Sequence, residues 1–129
     1  MKKIVASPLT LPFVWIFFFV LTHWPSEKLP EAPFIPHIDK VIHFSLYAVL
    51  SFLLSERLAK NGSAKKQAWI VFFVLAAYGI FDEVTQPYFG RTTETLDWLA
   101  YICGVLAGIT LHRDRQKNVQ VTNLHGNNL

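Results

Sequence analysis

Four long apolar runs alternate with short polar connectors along the chain. Runs of this length fit helices that cross a hydrocarbon core of about 30 Å better than short, alternating strands. They predict helices at about Leu9–Trp24, Ile38–Arg57, Lys66–Gln86 and Thr95–His112. Pro8 and Pro25 flank the first, Asn61-Gly62-Ser63 separates the second from the third, and Pro87 stops the third. Pro25 to Pro36 holds four of the seven prolines and reads as an ordered, extended loop. Residues 113–129 are polar without a hydrophobic period and read as a mobile cytoplasmic tail. The fold class is therefore all-α: a four-transmembrane-helix bundle in a single domain, residues 1–112.

Composition agrees. A chain of 129 residues allows one domain, and 52% apolar residues with eleven Phe is heavy for a small soluble protein. The net charge of +3 raises the question of nucleic acid. The basic residues flank apolar runs and form no continuous patch, so no nucleic-acid partner is expected. The one cysteine, Cys103, excludes an intrachain disulfide and a CxxC metal site, and reads as a small packed side chain. Met1-Lys2-Lys3 before an apolar run resembles a signal peptide, but Leu21-Thr22-His23-Trp24-Pro25 offers no small-residue cleavage site. An uncleaved first helix is expected.

Charge also predicts direction. Lys2, Lys3, Arg57, Lys60, Lys65, Lys66, Arg113, Arg115 and Lys117 fall on one side, and only Lys28, Lys40 and Arg91 on the other. The positive-inside rule then puts both termini in the cytoplasm of a multi-pass protein. Trp24, Trp98 and Trp69 fall at the expected boundaries as interfacial anchors.

On the outer side the helix ends carry Asp39, Lys40, His43, Asp82, Glu83, Arg91, Glu94 and Asp97, with Tyr47 and Gln86 nearby. Ionisable groups at membrane depth are expensive and face an interior or a cavity. In helix two only Phe44 to Leu54 is free of charge and imidazole, too short to span alone. His43, and Asp39 with it, is drawn into the apolar zone. Spacing puts Asp39, His43 and Tyr47 on one face, Glu83 and Gln86 on another, with Asp82 a helical step away. Asp97 and Tyr101 begin a stripe that Gly104 and Gly108 continue, where another helix can approach closely. Glu94, Asp97 and Asp39 also fit first-turn acids, and Lys40 fits a side chain snorkelling to headgroups. Asp82 and Glu83 sit at a helix C-terminus, where the dipole opposes them, and Arg91 is their expected partner.

These residues also resemble a family. Asp39-Lys40-Val41-Ile42-His43-Phe44, Asp82-Glu83-Val84-Thr85-Gln86, and Gly90-Arg91 followed by Asp97-Trp98 look like the signature of VanZ-like membrane proteins, over about Asp39 to Gly108. Where that family commonly has Asn after the Asp97-Trp98-Leu99-Ala100 run, this chain has Tyr101. The resemblance implies a protein of the bacterial cell envelope, in the cytoplasmic (inner) membrane. The founding member is associated with resistance to the glycopeptide teicoplanin.

Two functions compete. In one, the cluster is an outward-facing site for a polar or phosphorylated headgroup of an envelope lipid or a lipid-linked cell-wall precursor. Arg91 holds the anion, His43 and Glu83 form an acid–base pair, and Asp39 orients His43. Gln86, Asp97, Asp82 and Tyr47 line the ligand. In the other, the same groups form an interhelical network of a non-catalytic scaffold that binds a partner or a second copy through the Gly104/Gly108 face. Transport suits four helices without a repeat poorly, and a metal site from His43, Asp39 and Glu83 has only one imidazole. No cofactor is expected.

Overall fold

The computed structural model describes residues 7–25, 37–59, 62–91 and 94–126. They form α1 (Thr10–Thr22), α2 (Ile38–Leu58), α3 (Ala64–Thr85), a 3-10 turn (Gln86–Phe89) and α4 (Thr95–Gly126). The proline-rich loop expected over residues 25–36 lies, apart from Pro25, outside the described residues. Each observed end has a local cause. The Ser63 hydroxyl accepts from the Lys66 N–H at 3.3 Å and starts α3 two residues earlier than expected. Pro87 converts the end of α3 into the 3-10 turn. Gly90, at φ 74°, ends that turn in the left-handed conformation, and the Arg91 N–H returns to Gln86 O at 3.2 Å.

Among the described residues three helices are long and apolar enough to cross a membrane: Ile38–Leu58, Ala64–Phe89 and Thr95–Leu124. The protein is a multi-pass membrane protein. α1 is apolar but has 13 residues, which reach about 20 Å against a core of about 30 Å. Four full-length spans were expected; three and a shorter apolar helix are present. α1 stops where the Thr22 and His23 side chains turn onto α3, with Pro25 just beyond.

The bundle is inverted relative to a soluble protein. Among the described residues ten buried side chains are polar or charged and eight are hydrophobic, while Phe13, Phe17, Phe73, Phe81 and Val84 lie exposed. Such an exterior suits lipid, and the polar groups find their partners inside. Leu46, Leu50, Val71, Leu75, Val105 and Ile109 form the apolar centre. Cys103, expected to be packed, faces outward on α4.

α2 and α4 pack most closely, and glycine is the reason. A Cβ on Gly104 would collide with Phe44 O, and one on Gly108 with Ala48 O. The Ser51 hydroxyl donates to Val105 O at 2.8 Å across the same seam. The small-residue stripe therefore seats α2 of the same chain. The surface of the stripe is covered there by Phe44, Ala48 and Ser51 of α2. Gly108→Ala should lower stability by about 2 kcal/mol, because the methyl meets backbone that must move. An unchanged unfolding midpoint in mixed micelles would show that the seam is looser than this geometry.

α4 also continues past His112 to Gly126, where a polar tail without helical period was expected. No proline or glycine interrupts it between Gly108 and Gly126. Glu56 of α2 pins its flank: His112 Nδ1 lies 3.2 Å and Arg115 Nη1 2.8 Å from Glu56 Oε1. Side-chain polarity alone does not end a helix, and this one has a tertiary anchor one turn past its apolar stretch.

Candidate functional site

The end of α1, the start of α2, the end of α3 and the start of α4 meet at one end of the bundle. Asp82 is fully buried there. Thr22 Oγ1 donates to its Oδ1 at 2.9 Å, and Gln86 Nε2 to its Oδ2 at 3.2 Å. His23 Nδ1 stands 3.6 Å from the same carboxylate and 2.9 Å from Phe19 O, while Nε2 meets the Thr85 hydroxyl at 2.8 Å. The Thr85 hydroxyl itself donates to Phe81 O at 2.7 Å, so its oxygen can meet Nε2 as an acceptor. The rings of Phe19 and Phe89 close over the imidazole, with centroids 4.0 and 4.9 Å away. This knot ties α1 to α3.

A second cluster surrounds Lys40. Its ammonium lies 3.0 Å from Asp39 Oδ2, 2.7 Å from Glu94 Oε2 and 3.2 Å from Asp97 Oδ1. The Asp97 contact is an ion pair without hydrogen-bond alignment, so Asp97 Oδ1 remains buried without a hydrogen bond. Ligand oxygens of the three acids lie within 4.8 Å of one another, a donor set of the kind that hard cations use. Lys40 supplies the positive charge among them. It is an internal counter-ion rather than a snorkelling lysine.

Between the clusters lies an aromatic and imidazole layer. Tyr47 stacks on Tyr101 at 4.4 Å, and His43 meets Tyr101 edge-on at 4.9 Å. Tyr101 OH donates to Glu83 Oε2 at 3.1 Å. His43 Nδ1 and Tyr47 OH are buried and find no hydrogen-bond partner among the described residues. Unpaired polar atoms of this kind are costly, and a native structure keeps them for a reason. The Arg91 guanidinium, just after the 3-10 turn that follows α3, is a cation without an ion-pair partner among the described residues.

The three polar faces expected from spacing do converge, but several partners differ. Asp82 and Gln86 share the buried face, because four residues is a full turn, and Glu83 is half-buried beside them. Asp82 is held by Thr22, Gln86 and His23, and Glu83 by Tyr101, rather than either by Arg91. Asp39 turns to Lys40, not to His43, because a primary ammonium one residue away offers it a full opposite charge. Glu83 accepts from Tyr101 OH, whose ring lies edge-on to His43.

Sequence reasoning missed Thr22, His23 and Thr85. An imidazole inside an otherwise apolar run was the available signal for His23. Thr85 sits within the Asp82–Gln86 segment already singled out.

The family model described as VanZ/LLP1 matches residues 2–115. The chain belongs to the VanZ/LLP1 family. The match is wider than the resemblance over Asp39 to Gly108. It takes in α1, so the Thr22–His23–Asp82 knot lies within the VanZ/LLP1 region along with His43, Arg91 and Asp97. No curated protein and no solved structure gave a significant match.

Proposed function

We propose that this VanZ/LLP1 protein binds, at the polar end of its bundle, the anionic headgroup of an envelope lipid or lipid-linked cell-wall precursor, with that end facing outward. The observation that carries the reading is that His43 Nδ1 and Tyr47 OH are buried without hydrogen-bond partners among the described residues, at the end of the bundle where Arg91 makes no ion pair among those residues. A phosphate oxygen supplies what each of them lacks. Arg91 offers a bidentate donor fork, while His43 and Tyr47 offer one hydrogen bond each. Gln86 and Asp82 support the site from the α3 side, and Lys40 keeps Asp97 from repelling the anion. The outward sense rests on the nine-to-three division of basic residues. In this reading any effect on glycopeptide susceptibility acts through the precursor headgroup.

Modification of the headgroup is a further step, with Glu83 as proton acceptor through its contact with Tyr101. Glu83→Gln keeps the Tyr101 hydrogen bond. Full cellular function in a folded Glu83→Gln protein would remove Glu83 from any acid–base role.

Binding is tested by titrating short-chain phosphatidic acid into the detergent-solubilised protein carrying Arg113→Gln/Lys117→Gln, which removes two cations from the opposite end. Arg91→Ala should weaken the affinity at least tenfold, since charge-assisted hydrogen bonds contribute about 1.5–3 kcal/mol. Equal affinity in the two proteins would end the proposal.

One observation favours a second reading. The Asp82 knot is satisfied by protein partners alone, which suits a structural joint. In that reading the polar end fixes a small scaffold for a partner protein, and substitution costs folding rather than binding.

A further inference from the structure

The opposite end of the bundle carries Arg57, Lys65, Lys66, Arg113, Arg115 and Lys117. Between the start of α3 and the extended part of α4 lies a half-open cavity of about 580 Å³. Its rim bears Arg113, Lys117 and His112, together with the amides of Gln67, Gln116 and Gln120. No described residue on its wall is acidic. The Glu56 carboxylate, next to the lining residue Ser55, is off the wall and already engaged by His112 and Arg115 at 3.2 and 2.8 Å. Lys117 reaches Asp114 at 3.6 Å, but those side chains are 75% and 60% exposed, so the pair holds it weakly. α3 begins at Ala64 on the same wall, and its positive dipole end adds to the field.

Depth decides what kind of anion this field meets. The apolar stretch of α4 ends at Leu111, and Arg113 and Lys117 follow within about two turns. The cations therefore stand at headgroup level, while Ala68 and Ile109 form an apolar floor that continues towards the hydrocarbon. Basic pockets between transmembrane helices at this level suit anionic lipid phosphates.

We infer that this cavity is a second binding site, for a phosphate-bearing anion, filled by the headgroup of an anionic phospholipid. The site is independent of the polar end and of any function proposed there. Arg113 and Lys117 neutralise the phosphate, and the Gln116 and Gln120 amides donate to its oxygens and to the headgroup hydroxyls. Gln67 Nε2 donates to Gly62 O at 2.8 Å and lines the cavity. The continuation of α4 past His112 is what carries both cations to the cavity.

The glutamine side-chain amides also provide a local readout by nuclear magnetic resonance of the full chain in neutral micelles. Dihexanoyl phosphatidylglycerol should shift the Gln67, Gln116 and Gln120 amide signals saturably. Arg113→Gln/Lys117→Gln should weaken that response at least tenfold, and Arg57→Gln, at the same end but off the wall, should not. Inorganic phosphate producing the same shifts at the same concentration would support the phosphate site and make the free anion its source. The inference is overturned if neither probe shifts these signals in the wild type. It is also overturned if zwitterionic dihexanoyl phosphatidylcholine acts equally well, or if Arg57→Gln weakens the response as much as the double variant.

Discussion

Lys40→Met is expected to destabilise the folded bundle by about 3 kcal/mol. The substitution keeps the length and the apolar stem of the side chain and removes the one cation among Asp39, Glu94 and Asp97. Removing one partner of a buried ion pair costs about 3–5 kcal/mol, because the remaining charge is left in a poor solvent. The low end applies, since Asp97 is 4% exposed but Asp39 and Glu94 are 37% and 58% exposed and keep access to water. Lys40→Arg should recover most of the loss. Adding Asp97→Asn to Lys40→Met should recover part of it, because the most enclosed charge is then gone. The unfolding midpoint in mixed micelles is the readout, and a Lys40→Met protein as stable as wild type would mean that water already solvates these acids.

Asp82→Ala should cost about as much by another route. It removes the acceptor of both Thr22 and Gln86 and the carboxylate beside His23. A buried donor left unpaired costs about 1–3 kcal/mol. Gln86 Nε2 is orphaned, while the Thr22 hydroxyl falls back on Phe19 O at 3.2 Å. With the lost α1–α3 contact the loss should be about 3 kcal/mol. The effect should be local. α1 is short and is held at this end by the Thr22 and His23 contacts, so the Phe19–His23 backbone amides should lose exchange protection before those of α2 and α4. Asp82→Asn retains an acceptor for Thr22 and should lie between. Loss of protection spread evenly over all four helices would contradict the view of Asp82 as the α1–α3 joint.

Much of the architecture was legible because a membrane allows so few solutions. Apolar runs broken by Pro25, Asn61-Gly62-Ser63 and Pro87 mark helices whose backbone must satisfy itself. The observed ends of α2 and α3 fall within two residues of expectation. The limited apolar run of α2 foretold the burial of His43, which is 2% exposed.

What failed was pairing. Spacing tells which residues share a face of one helix, but not which neighbouring helix that face meets or at what rotation. Asp82 therefore looked misplaced until α1 supplied Thr22 and His23, which lie about sixty residues away in sequence. Lys40 looked like an interfacial lysine because two of its acids, Glu94 and Asp97, lie just before α4 and in its first turn. The length of α4 was hidden for a related reason. Its polar extension has no hydrophobic period, and its support from Glu56 comes from α2.

Native mass spectrometry tests most directly whether the polar end holds an anionic headgroup. The protein would be extracted in mild detergent in the Arg113→Gln/Lys117→Gln background, so that anions at the opposite end do not contribute. A phosphorylated lipid or precursor should remain bound when Arg91 is present and be lost from folded Arg91→Ala. Retention of the same species by Arg91→Ala, or no bound species with Arg91 in place, would contradict a headgroup site and leave the polar end as a structural joint.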